Sequence, residues 1–127
     1  NTMSVMILRL TNLMDFIRRF GNDNANELLL SVSQMLNDQM RWADVIGRLD
    51  KNEFLFILPE TEEAVTSELR DKISDHLTRI KLPGAEDSDF ELDYDFGMAQ
   101  WRKGDDVGLL MQRARQHLEG TGEKLAS

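Results

Sequence analysis

The chain has no cysteine, and only two prolines, two histidines and one tyrosine in 127 residues. Without Cys, disulfide frameworks, thiol nucleophiles and Cys-ligated zinc or iron–sulfur centres are excluded. Basic residues are the minority, 15 Lys and Arg against 23 Asp and Glu, which leaves a net charge of −8. Such a domain lacks the clustered cations that hold a nucleic-acid backbone, so DNA and RNA are not expected partners. Long apolar runs are missing too. Runs such as Leu28–Leu30 and Phe54–Leu58 fall far short of the ~20 residues that cross a bilayer. The opening Asn1-Thr2-Met3-Ser4 has no basic segment of a secretory leader. A cytoplasmic domain is therefore expected, cut from a longer protein that could itself be membrane-anchored. What is present, 41% hydrophobic and 30% charged residues, suits one globular domain with a real core.

Ser4–Leu10 is an apolar run that reads as a buried strand. Leu13, Phe16, Ile17 and Phe20 then fall at helical spacing and stop at Gly21. Asn22-Asp23-Asn24 is placed to cap a second helix with the stripe Ala25, Leu28, Leu29, Val32, Met35, Leu36 and Met40. Val45–Leu49 and Glu53–Leu58 flank Asp50-Lys51-Asn52 as a hairpin, whose Asp and Asn tolerate positive φ in the absence of Gly. Thr61-Glu62-Glu63 opens a third helix with Val65, Leu69, Ile73, Leu77 and Ile80 inward, broken at Leu82-Pro83-Gly84. From Phe90 to Met98 apolar residues alternate with acids, predicting a strand with one solvated acidic face, which either binds a cation or only discourages edge pairing. Asp105-Asp106 caps a last helix with Val107, Leu110, Met111, Ala114 and Leu118 inward, closed by Gly120-Thr121-Gly122. The order β-α-α-β-β-α-β-α predicts an α+β domain, a central mixed sheet flanked by helices.

The hairpin reads Arg48-Leu49-Asp50-Lys51-Asn52-Glu53-Phe54, with Pro59 ending its second strand. This resembles the signature of the GGDEF domain, the diguanylate cyclase fold, whose pattern is Arg-x-Gly-Gly-Asp/Glu-Glu-Phe. Arg48, Glu53, Phe54 and Pro59 match it. The resemblance extends over nearly the whole chain, through Val5–Leu10, Phe20-Gly21, Glu27-Leu28-Leu29 and Asp95-Phe96-Gly97-Met98-Ala99, the last standing where the family has Ser-Ile-Gly-Val-Ala. It implies a nucleotidyl-cyclase palm-like fold.

The resemblance also implies what is missing. Active members hold Mg²⁺ with an Asp at the end of the first strand and the acid third in the signature turn; here these positions are Arg9 and Asn52. A guanidinium ~4 Å from a divalent ion at an effective dielectric of ~20 adds repulsion of roughly 8 kcal/mol. The turn glycines, which admit phosphate, have become Asp50 and Lys51. The family's guanine-reading Asn and Asp align with Ile17 and Asn26, and its phosphate-binding lysines with Met14 and Glu119. A catalytically inactive domain is expected, with no Mg²⁺ cofactor and with Arg9 paired to Glu53 or Asp50.

One family motif survives. The inhibitory site that binds cyclic di-GMP is Arg-x-x-Asp, five residues before the signature turn, and Arg41-Trp42-Ala43-Asp44 stands five residues (Val45 to Leu49) before Asp50. Asp44 can accept from guanine N1–H and N2–H, and Arg41 can reach O6/N7, a phosphate or the base face. The family's third basic group aligns with Lys72, with Arg70 beside it. The bland alternative is that Arg41 and Asp44 merely close a loop as a surface pair. Trp42 reads as a hydrophobic anchor on the domain, the favoured reading, or as an exposed stacking or partner surface, and His76 and His117 as boundary residues with no partner at metal spacing. Two functions stay open: a regulatory or receptor module that takes cyclic di-GMP, usually as an intercalated dimer, or a nucleotide-free interaction or dimerisation domain regulating a neighbour such as an EAL phosphodiesterase; a homodimer is compatible with either. An active cyclase or a GTP sensor is the reading least consistent with these positions.

Overall fold

A computed structural model of the chain describes residues 2–126, and side chains as far as residue 118. The elements are β1 (Met3–Leu10), α1 (Leu13–Phe20), α2 (Asn22–Asp38), β2 (Val45–Asp50), β3 (Glu53–Pro59), α3 (Glu63–Thr78), β4 (Tyr94–Gln100) and α4 (Val107–Ala126). The strands form one sheet in the order β2-β3-β1-β4. Its three pairings are all antiparallel rather than mixed. The reason is topological: β1 and β2 run the same way, as do β3 and β4, but each crossover skips a strand that runs against both.

β1 is apolar almost throughout because it is central and covered on both faces. Met6, Leu8 and Leu10 point with Phe54, Phe56, Leu58 and Phe96 towards α1, α2 and α3. Val5 and Ile7 point the other way, under Leu110, Ala114 and Leu118 of α4. Phe16 anchors the first layer, its ring 5.0 Å from that of Phe20 and 5.3 Å from that of Phe90. α4 lies so close to β4 that a Cβ on Gly97 would meet the Ala114 carbonyl oxygen at 2.1 Å.

Several local expectations change. Asn22–Asn24 does not cap α2, whose first residue follows Gly21 at φ 89°; instead the Asn24 side chain donates to the Phe20 carbonyl and closes α1. β4 begins at Tyr94, not Phe90, because its partner β1 ends at Leu10 opposite Tyr94. Asp95 is buried beneath α4 and so is not on a solvated face. Val65 and Val107 are exposed, each in the first turn of its helix, ahead of the turns that meet the sheet. Asp106 does cap α4, accepting from the Leu109 N–H at 2.8 Å. That helix runs on to Ala126 through the glycines expected to close it.

Candidate functional site

Two groups of residues singled out by the sequence lie at the two ends of the β2–β3 hairpin. At the turn end, strand register sets Arg9 of β1 opposite Glu53 of β3 and opposite Asp95 of β4. Residues opposite one another share a sheet face, so the three side chains form a row on the side covered by α4. Arg9 Nη2 lies 3.6 Å from the Asp95 carboxylate. Glu53 is held by Arg115 of α4 through two parallel contacts, Nη1–Oε2 at 3.1 Å and Nη2–Oε1 at 3.2 Å.

Arg9 therefore does not pair with Glu53 or Asp50 as expected. Both oxygens of Glu53 are taken by Arg115, and the Asp50 carboxylate turns back to accept the Lys51 N–H at 2.7 Å. Arg115 was missed by sequence reasoning, and Asp95 was read only as one of the acids of a solvated strand face, not as the partner of Arg9. The signal for Asp95 was available: an acid stands where the resemblance implies Ser, directly across from the position where it implies an acid and Arg9 stands.

The turn itself is tied down on all sides. Arg48 donates to the Asp50 and Lys51 carbonyls at 3.1 and 2.6 Å, with its guanidinium 4.7 Å from the Phe54 ring centre. Asn52 Nδ2 donates to the Leu10 carbonyl at 3.0 Å. A register shift between Arg48 and Asp50 lets the chain turn without positive φ at Asp50, Lys51 or Asn52; among the described residues Glu60 is the one non-glycine with it.

These residues do not fit a divalent cation. Magnesium needs carboxylate oxygens in open octahedral geometry, whereas Glu53 and Asp95 are each engaged by an arginine and Asn52 is committed to β1. Among the described residues no group of three or more His, Cys, Asp or Glu is arranged to hold a metal. Of the positions aligned with substrate contacts, Ile17 packs against the core, Met14 is 61% exposed, Asn26 is exposed, and the Glu119 side chain lies outside the described residues.

At the other end of the hairpin, Arg41, Asp44 and Lys72 line one cavity of about 160 Å³, together with Gln39, Leu58, Thr61 and Glu68. Arg70 is not among its walls and pairs with Asp71. The Asp44 side chain is only 3% exposed. Its Oδ2 accepts the Arg41 backbone N–H at 2.8 Å, while the guanidinium contacts are long, 3.4 Å to each oxygen. Arg41 also donates to Thr61 Oγ1. Asp44 is thus a fixed acceptor, and the Arg41 guanidinium beside it is tied to Thr61 while its side chain stays more than half exposed. Trp42 is no anchor: it is 99% exposed, because the loop turns both Arg41 and Asp44 inward towards α3 and leaves the residue between them outside. His76 stands 3.3 Å from Gln39, and His117 accepts the Met98 N–H at 3.1 Å.

The antiparallel β2-β3-β1-β4 sheet, covered by helices on both faces, makes an α+β domain with a tied hairpin turn and an acid–arginine loop at the hairpin's other end. The model of the family described as "Diguanylate cyclase, GGDEF domain" matches residues 1–125, and the chain belongs to the GGDEF family. Diguanylate cyclase DosC of Escherichia coli (strain K12) is 28% identical over 116 residues, 91% of this chain and 25% of DosC. The chain thus spans about a quarter of the length of the curated relatives it first matches. Two solved structures share the fold. The active GGEEF domain of a diguanylate cyclase from Vibrio cholerae has a TM-score of 0.88 at 18% identity, covering 98% of this chain and 78% of that one. The GGDEF domain of DgcB from Caulobacter crescentus, in complex with c-di-GMP, has a TM-score of 0.88 at 16% identity, covering 97% of this chain and 73% of that one.

Proposed function

We propose that this chain is a catalytically silent GGDEF domain, a regulatory or receptor module of a larger cytoplasmic-facing signalling protein, which takes cyclic di-GMP at Arg41, Asp44 and Lys72. The observation that carries the reading is the convergence of those three side chains on one cavity. At about 160 Å³ it has room for the edge of one guanine, not a whole dinucleotide. Asp44 would accept the guanine N1–H and N2–H, and Arg41 would exchange its contacts to Asp44 and Thr61 for O6/N7 or a phosphate. Lys72, exposed at the rim, supplies a cation without the bidentate fork of arginine. The DgcB domain solved with c-di-GMP supports the choice of ligand.

Silence towards GTP is supported by the turn end of the hairpin. The one acid retained from the signature, Glu53, is clasped by Arg115, and Arg9 adds positive charge where catalysis would need a metal.

Calorimetric titration of cyclic di-GMP into the purified chain tests the proposal. Saturable heat that is lost in Arg41→Ala and in Asp44→Ala supports it; no heat at high ligand refutes the receptor role. Formation of cyclic di-GMP from GTP and Mg²⁺ would refute the claim of silence. A second reading, favoured by the full exposure of Trp42, is a nucleotide-free interaction or dimerisation surface acting on a neighbouring domain such as an EAL phosphodiesterase.

A further inference from the structure

The sheet has two edges, and the fold treats them differently. Strand β4 bonds to β1 through its odd-numbered residues, in step with the Trp101 N–H, which donates to the Met3 carbonyl at 2.7 Å. Its even-numbered residues face outward, and α4 meets two of them. His117 accepts the Met98 N–H at 3.1 Å, and Arg113 donates to the Gln100 carbonyl at 2.8 Å. That stretch is closed to a further strand. Strand β2 has no such cover. The Leu10 N–H donates to the Asn52 carbonyl at 2.8 Å, so the even-numbered residues of β3 turn to β1. The odd-numbered Leu55 and Ile57 turn to Gly47 and Val45 of β2. Alternation leaves the N–H and C=O groups of Ile46 and Arg48 facing outward, and among the described residues no hydrogen bond takes them.

The side chains along this edge are open as well. Val45 and Gly47 stand opposite Ile57 and Leu55, on the face that carries α4. That helix packs chiefly on β4 and β1, which leaves Val45 53% and Leu49 39% exposed. A Cβ on Gly47 would touch nothing. The stretch from Val45 to Arg48 is regular, since the register shift comes after it, and it carries no proline.

We infer that β2 is a self-pairing edge, which takes the β2 strand of a second copy of this chain, antiparallel, about a two-fold axis at Gly47. Outward backbone groups must meet outward ones, so even-numbered residues stand against even-numbered ones. Centred on Gly47, Ile46 of each copy exchanges both backbone bonds with Arg48 of the other. The same register sets Val45 against Leu49, so the exposed apolar side chains of the two copies cover one another. Gly47 meets Gly47 on the axis, with no side chain to hold the strands apart. A register centred on Arg48 would oppose two guanidinium groups, and one centred on Ile46 would leave Leu49 uncovered. The ends agree in charge. Each Trp42, 99% exposed, is carried to the other copy's hairpin turn, where Lys51 is exposed and can lie on the indole. The acids near these ends are turned away: the Asp44 side chain is 3% exposed, and Asp50 accepts the Lys51 N–H. The contact is short against the ~800 Å² per partner of a standard interface, so the dimer is weak and depends on concentration. This pairing goes beyond the receptor reading and needs no nucleotide, so either can fail alone.

Sedimentation equilibrium up to ~1 mM chain tests it, without nucleotide and in salt that screens the net charge of −8. The apparent mass should climb from 14.6 kDa towards twice that value. Val45→Lys with Leu49→Lys should hold the chain monomeric. Val45→Lys with Leu49→Glu should associate, because the register sets position 45 against position 49. Both positions are exposed, so the variants should keep the fold, which circular dichroism checks. The absence of cysteine gives a second readout. Gly47→Cys places two thiols on the axis within disulfide reach. Under oxidised glutathione it should form a covalent dimer several-fold faster than Gln112→Cys, a control on the exposed side of α4. An unaltered chain that stays monomeric throughout would overturn the inference. So would association that persists in the Lys–Lys variant, equal behaviour of the two double variants, or Gly47→Cys crosslinking no faster than the control.

Discussion

The approach of α4 to the sheet makes Gly97 the most sensitive small residue in the fold. A methyl group there would sit 2.1 Å from the Ala114 carbonyl oxygen, 2.9 Å from Leu118 Cβ and 3.0 Å from the Leu118 nitrogen. Two of these three are backbone atoms of a helix, so no rotamer change relieves the clash, and α4 has to lift from β4. Overpacking of this kind costs about 1–3 kcal/mol, and a rigid backbone neighbour puts Gly97→Ala at the top of that range. With an unfolding entropy of ~2.1 cal/mol/K per residue, a loss of about 3 kcal/mol lowers the Tm of a chain of this length by ~11 °C. Gly47→Ala is the internal control. It too sits in a strand, but no heavy atom lies within 4 Å of its added Cβ, so the change should stay within about 0.5 kcal/mol or stabilise slightly. Calorimetry or circular dichroism melts of both variants decide the point. A Gly97→Ala protein melting with the unaltered chain would show that α4 does not ride this closely on β4. An equal fall in Gly47→Ala would show that the loss belongs to glycines in strands generally.

Further outcomes follow from the same geometry. Phe16→Ala removes a fully buried ring that touches Phe20 and Phe90 and should cost about 3–5 kcal/mol in urea unfolding. The Asp105 carboxyl is held down to about 2, first by its hydrogen bond from Arg113 and next by one from the Arg102 N–H. Because its folded value is depressed, the stability it contributes is complete above pH ~4 and is lost as pH falls towards 2; Asp105→Asn should flatten the midpoint's dependence on pH across that interval. Trp42→Ser should change stability by less than about 0.5 kcal/mol, while the emission that remains, from half-buried Trp101, shifts to the blue.

Order and type of elements were legible because the two periodicities are clean. The near-continuous apolar run of Val5–Leu8 marks a strand covered on both faces, and Leu28, Leu29, Val32 and Leu36 mark one side of a helix. The start of β4 was not legible, because Phe90 and Leu92 keep the alternation of a strand beyond the last residue of β1 that can pair with them. The cavity site was legible since Arg41 and Asp44 are local in sequence, and their spacing survives folding as one short loop. The charge row was not: Glu53, Arg9, Asp95 and Arg115 come from four different elements, and their partnership is fixed by register and by the seat of α4. Of the two readings of Trp42, the favoured anchor failed for a related reason. Large aromatic residues are usually buried, and only the inward turn of its two neighbours leaves this one outside.

The position of β1 has a consequence for how the molecule is made. It is an inner strand and is synthesised before the other three strands of the sheet, yet Met3 pairs with Pro59 and Leu10 with Tyr94. One edge of this apolar segment can pair once β3 is made, but the other must wait for β4, and loops of that length close slowly. Nascent chains stalled before Tyr94 would expose a naked edge to chaperones or to one another, and the arrival of β4 with its overlying helix is the step that ends the exposure.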